Sequence, residues 1–109
     1  INDDQEQFLF ESLTELNESN ELQFIFNKDN KVFNEIELMT KEGEFFRLDR
    51  LIIDPDNNAT VIDFKTGMPK DKDQKQLLKY MEFVNECGYN VDSGLLIYLP
   101  NLQVHKFDI

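Results

Sequence analysis

The chain has 109 residues, 40% of them apolar and ten of them phenylalanine, which is enough for one domain with a core of its own. Its formal net charge is −11, from 22 acidic against 11 basic side chains. That balance excludes capture of nucleic acid by a general basic field, so a phosphate-bearing substrate would have to be held by a local cluster, a bound metal or a neighbouring domain. No run approaches the roughly 18 to 20 apolar residues that span a bilayer, and no charged-then-apolar leader opens the sequence. The single Cys87 has no internal disulfide partner, so a cytoplasmic setting without membrane attachment is expected. The chain opens on Ile1 rather than methionine, and a fragment or processed product of a longer protein is expected.

Residues 3–17, DDQEQFLFESLTELN, predict a helix, because acidic residues fill the first turn and Phe8, Leu9, Leu13 and Leu16 recur at three- and four-residue spacing. A second short helical piece is predicted over residues 20–26, followed by a polar turn over 27–30. From 31 to 40 the pattern becomes two-fold, with Phe33, Glu35 and Glu37 on one side, Val32, Ile36 and Leu38 on the other, and Asn34 interrupting the alternation. After a tight connection at 41–44, strands over 45–54 and 59–65 complete a three-stranded antiparallel meander around the polar turn Asp54-Pro55-Asp56-Asn57-Asn58. The strongest helical pattern covers 71–87, with Asp71 or Asp73 as N-cap, Leu77, Leu78, Met81 and Val84 as the apolar stripe, and Gly88 just past the end. Two more strands follow, over 91–99 and 102–107, and the intervening helix allows the first of them to return parallel to the central strand. The expected fold is a single α/β domain over residues 1–109, a mixed sheet flanked by helices.

The chemistry concentrates in RLDRLIIDPDNNATVIDFKTG, residues 47–67. Alternation on the second strand projects Asp63 and Lys65 from one face and Ile62 and Phe64 from the other, and a hairpin pairing Asp49 near Asp63 brings two carboxylates and an ammonium together. A hard divalent cation such as Mg²⁺ is held by one or two fixed carboxylates together with waters and a substrate phosphate. Asp49 and Asp63 supply the carboxylates, the Phe64 carbonyl is a further oxygen, and Lys65 can meet the phosphate or the attacking water. Such a set suits phosphodiester hydrolysis.

The succession FNEIEL, EGEFFRLDRLIID, VIDFKTG, QKQLLKY and LLIYLP resembles the RecB-type nucleases of the PD-(D/E)XK superfamily, and more closely the C-terminal nuclease domain of bacterial UvrD/Rep-like helicases of the AddA and RecB kind. The likeness spans about residues 33–100. It implies a restriction-endonuclease-like fold and a Mg²⁺- or Mn²⁺-dependent deoxyribonuclease, an exonuclease domain, working in DNA recombination and repair. The implied partners are DNA, helicase motor domains in the same polypeptide and a second subunit of an AddAB- or RecBCD-like complex. The resemblance makes Asp49 and Asp63 metal ligands together with the Phe64 carbonyl, Lys65 the catalytic lysine, and Gln76 with Tyr80 a further motif on one helical face. Glu35 matches an acidic position in the preceding strand. The family also carries an upstream helical ligand, usually histidine, whereas the only histidine here is His105. Glu6, Glu11 and Glu15 are substitutes, and a ligand before Ile1 is the expectation, with little activity for residues 1–109 alone.

Plainer readings stand beside these. Asp49 and Asp63 also fit exposed sheet carboxylates, although Asp63 within VIDF would be costly to bury unpaired. Arg50 reads best as a structural ion-pair partner pointing away from the metal. Gln76 also fits a capping-box spacing with Asp73, and Asp71 with Gln74 repeats it. Tyr80 also fits the core, and Lys72, Lys75 and Lys79 form either a DNA-backbone contact or a solvated face. Asp54, Asp56 and Asn58 mimic a calcium loop, but Ala59 and Lys65 stand at its glycine and bidentate-acid positions, so a turn is expected. His105 and Cys87 read as structural. A nuclease fold without catalysis, serving as a docking module of the helicase, is the alternative function.

Overall fold

The computed structural model describes residues 27–99 and 103–108. The helices expected over 3–17 and 20–26 lie outside them, as do Glu6, Glu11 and Glu15. Five strands and one helix follow in order: β1 (Lys31–Met39), β2 (Phe45–Ile53), β3 (Asn58–Thr66), α1 (Asp71–Glu86), β4 (Asn90–Leu99) and β5 (Gln103–Asp108). They make one mixed sheet in the order β1-β2-β3-β4-β5. The first three strands form the expected antiparallel meander, α1 carries the chain back so that β4 runs parallel to β3, and β5 returns antiparallel to β4. The architecture is α/β, with a single helix among the described residues.

Turn chemistry sets the register of the meander. Between β1 and β2, Gly43 at φ +86° takes a left-handed conformation that a side chain would strain, and Thr40 closes the turn by accepting the Glu44 N–H at its hydroxyl. Between β2 and β3, both oxygens of Asp54 are used locally: Oδ1 accepts the N–H groups of Asp56 and Asn58 at 2.9 Å, and Oδ2 accepts Asn58 Nδ2 at 3.1 Å. This is a side-chain-closed turn, as the sequence suggested.

Helix α1 begins at a different residue from the one expected. The N-cap is Lys70, in extended conformation, and Asp73 sits at N3 with its Oδ2 accepting the Lys70 N–H at 3.2 Å, so neither Asp71 nor Asp73 is itself the cap. Asp73 is buried and also accepts the Tyr98 hydroxyl at 3.0 Å, tying the first helical turn to β4. Those two bonds explain why a carboxylate can be buried there. Leu77, Met81 and Val84 form the buried stripe over the sheet, while Leu78 is exposed. The helix sits close because β4 offers Gly94 beneath it: a Cβ there would lie 2.6 Å from Met81 Sδ and 3.1 Å from Leu77 Cδ2.

The core lies on both faces of the sheet. On the helix face Leu48, Leu51, Ile53, Ala59, Val61 and Leu96 pack with the α1 stripe; on the other, Ile52, Ile62, Leu95 and Ile97 form a smaller cluster with Phe64. Central β3 is buried continuously from Ala59 to Asp63, as expected of a strand covered on both sides. Leu48 and Leu51 are three residues apart yet share the helix-side core, so strict alternation fails between them. The cause is visible in β1, where Glu35 has φ +51° and the β1–β2 ladder skips the Glu35–Asp49 pair while holding its register on either side. Phe33, opposite Leu51, and Ile36, opposite Leu48, therefore share a face, correcting the two-fold pattern expected for β1.

Candidate active site

The irregularity that breaks alternation is also what opens the site. The β2–β3 ladder runs from Ile53–Ala59 to Arg50–Ile62 and stops there, one pair short of Asp49–Asp63. Beyond that point β3 pairs only with β4 through Asp63, Phe64, Lys65 and Thr66, while β2 stays with β1, so the two central strands part at the two aspartates. Asp49 bridges the parting: its Oδ2 accepts the Phe64 N–H at 2.8 Å, taking the bond that a ladder carbonyl would have taken.

Asp63 stands across from it, only 7% exposed, between the buried Val61 and the half-buried Lys65. Its Oδ2 is shut off from solvent and has no well-formed hydrogen bond; the Lys65 ammonium approaches it at 3.1 Å. Burial, above all, pushes the Asp63 carboxyl up to about 7; a hydrogen bond with Asp49 raises it further, the Lys65 charge pulls it back, and the Asp49 charge adds to the rise. Two carboxyl groups therefore share one half-dry corner. The Lys65 ammonium is held from a second side, donating to Gln76 Oε1 at 2.6 Å. Gln76 leaves α1 one turn before Tyr80, whose ring stacks on Phe46 at 5.7 Å and whose hydroxyl is pushed up in pKa by burial and then by the Asp63 charge. The helix thus supplies a clamp on the lysine through Gln76 and an aromatic wall through Tyr80.

Asp49, Asp63, Lys65 and Gln76 are brought into one constellation, with the Phe64 backbone inside it and Tyr80 within its electrostatic reach. Phe64's ring packs on the opposite face with Ile62 and Leu95, so only its backbone belongs to the site. Glu35 stands apart: it pairs with Arg47 at 3.0 Å on the exposed surface. Arg50 also stands apart, opposite Ile62 and hence on the far face of the sheet, its guanidinium lowered to about 10 by burial. His105 packs edge-on to Tyr98, and Cys87 is the C-cap residue of α1. Sequence reasoning missed the Lys65–Gln76 bond, which depends on how far α1 tilts towards β3. It also missed the Glu35 kink, for which a non-glycine residue gives no signal.

Among the described residues no group of three or more His, Cys, Asp and Glu side chains gathers into a metal site. The pair Asp49–Asp63 nevertheless fits a hard divalent ion, because such an ion needs only one or two carboxylates, and Asp63 Oδ2 is buried with no hydrogen bond beyond the approach of the Lys65 ammonium. Among the described residues no helix is long and apolar enough to cross a membrane.

No protein-family model matches the chain, and none of the curated proteins matches it. Among solved structures, the crystal structure of SSO0001 is similar, with a TM-score of 0.54 and 18% sequence identity over 88% of this chain. The match covers 50% of that protein, so this chain spans about half its length. At that identity the likeness is one of fold.

Proposed function

We propose that this chain is a metal-dependent DNA nuclease domain of restriction-endonuclease-like fold and RecB type, appended to a UvrD/Rep-like helicase and acting in DNA end processing and recombinational repair in the cytoplasm. The observation that carries this reading is the convergence of Asp49, Asp63, Lys65 and Gln76 where β2 and β3 part. Asp49 and Asp63, with the Phe64 carbonyl, would hold Mg²⁺ or Mn²⁺. When bound, the ion supplies charge neutralisation at the scissile phosphate and acidifies water.

The chain's own residues do the rest. Asp49 is fixed by the Phe64 N–H, which holds its Oδ2 at the parting of the strands. Asp63, half-way to neutrality at about 7, gains most from a cation beside it, since burial is what disfavours its charge. Lys65, gripped by Gln76 and Asp63, keeps a fixed ammonium with which to bind a phosphate oxygen and offset charge developing on it. Gln76 is a positioning residue that acts through Lys65. The −11 net charge suits a domain to which a tethered helicase motor delivers DNA, making long-range capture unnecessary. Incubation of the intact protein with single-stranded DNA and Mg²⁺ or Mn²⁺ tests the proposal: cleavage that Asp63→Ala and Lys65→Ala abolish supports it, and undiminished cleavage by both variants removes the assigned site.

A further inference from the structure

This acidic chain concentrates six of its eleven positive side chains along two adjoining clefts. Lys65, Lys70 and Lys72 line a cleft of about 410 Å³ at the start of α1. Arg47, Lys75 and Lys79 line a second, of about 510 Å³, between the start of β2 and α1. Gln76 borders both clefts, and its bond to Lys65 makes the candidate catalytic lysine their meeting point. The second cleft is aromatic as well as basic. Phe46 stacks with Tyr80 at 5.7 Å and meets Phe83 at 4.9 Å, Lys79 lies 5.4 Å from the Phe83 ring centre, and Phe45, also lining the cleft, is 76% exposed. Asp73 lines the first cleft, where Asp63 pairs with Lys65, and two acids accompany the cations of the second: Glu44 lies 3.9 Å from Lys79 and Glu35 3.0 Å from Arg47. The two pairs of the second cleft are exposed, contribute little to stability, and can yield their cation to a phosphate.

We propose that the aromatic cleft between β2 and α1 is a binding subsite for unpaired nucleotides of single-stranded DNA, in which a base stacks on Phe45 while Lys75 and Lys79 contact backbone phosphates. The proposal rests on the nuclease reading and assigns the place where its strand is seated. Cations alone would serve a duplex equally well, since phosphates line both forms. An exposed ring beside them favours the single strand, because base–aromatic stacking requires a base face that a duplex keeps covered. The cleft lies directly beside Lys65 through Gln76, so a strand seated in it would lead its backbone to the two aspartates.

Fluorescence anisotropy with labelled oligo(dT) and with a duplex of equal length, in EDTA so that no cleavage occurs, tests this subsite. Wild type is expected to prefer oligo(dT). Phe45→Ala should weaken oligo(dT) about tenfold and leave duplex binding unchanged, and Phe45→Trp should restore it. Lys75→Ala and Lys79→Ala should each flatten the salt dependence, by about 0.7 in the log–log slope. Oligo(dT) binding that ignores Phe45→Ala, or an equal loss for both DNAs, overturns the proposal. Conversion of a dimer to a monomer by Phe45→Ala in sedimentation velocity, with oligo(dT) binding unchanged, also overturns it and makes the cleft an interface between copies. The two readings separate cleanly. The expected binding pattern without metal-dependent cleavage keeps the subsite and removes the nuclease, whereas Lys65-dependent cleavage with Phe45-independent binding does the reverse.

Discussion

Replacing Asp63 by asparagine should stabilise the metal-free protein above neutral pH while abolishing its response to metal. Asparagine keeps the size and polarity of the side chain and removes the charge that burial disfavours. The folded-state carboxyl titrates at about 7 rather than its ordinary 3.8, so the native state holds a proton that the unfolded chain releases between those values. The contribution of Asp63 to stability therefore falls as pH rises from about 4 to about 7. At about 1.4 kcal/mol per pH unit the span corresponds to roughly 4 kcal/mol, and relaxation with water entry around the ionised group brings the observable gain to roughly 2–3 kcal/mol at pH 8. Near pH 4 the gain should vanish, because the carboxyl is then protonated and asparagine is its near-equivalent. Urea denaturation of both proteins at pH 4.5 and pH 8, with and without Mg²⁺, measures this directly. Wild type alone should gain stability from the ion at pH 8 by mass action. A variant that is destabilised equally at both pH values, or that responds to Mg²⁺ as wild type does, refutes the reasoning.

Three further outcomes follow from the packing. Gly94→Ala drives a methyl to within 2.6 Å of Met81 Sδ with Leu77 alongside, and should cost about 1–3 kcal/mol in chemical denaturation by lifting α1 from the sheet. Asp54→Ala removes three hydrogen bonds from the β2–β3 turn; thermal unfolding should show a loss of about 1–2 kcal/mol, with the proposed DNA cleavage unaffected because the turn lies at the far end of both strands. Tyr98→Phe leaves the buried Asp73 carboxylate short of its hydroxyl partner. Denaturation should report a loss of about 1–3 kcal/mol, and amide exchange in the first turn of α1 should quicken.

The sheet was readable in the sequence because its devices are local. A closing aspartate at 54, a glycine at 43 and β-branched runs on either side define the meander, and the apolar stripe at 77, 81 and 84 defines α1 and hence the parallel return of β4. The same applies to Asp63 and Lys65, whose shared face follows from alternation on a regular strand. Asp49 became legible only through its neighbours in the motif: alternation alone does not survive the Glu35 kink, and Asp49 reaches the site by bonding across a parted ladder rather than by facing Asp63 within an intact one. Gln76 illustrates a different limit. Its spacing allowed a helix cap or a motif residue, and the choice was made by tertiary geometry when Lys70 and Asp73 took over the cap and left Gln76 to hold Lys65.

The parting of β2 and β3 therefore gathers a buried carboxyl, a tethered carboxylate and a clamped ammonium at the mouth of a basic, aromatic cleft. Whether that corner holds a divalent cation is the central claim, and titration calorimetry of the intact protein with Mn²⁺ at pH 8 tests it most directly. Binding heat that disappears in Asp49→Ala and in Asp63→Asn, and persists in Asp54→Ala, is the predicted result. Heat that is absent from the wild type, or unchanged by loss of either aspartate, would contradict the account and favour a docking module without catalysis.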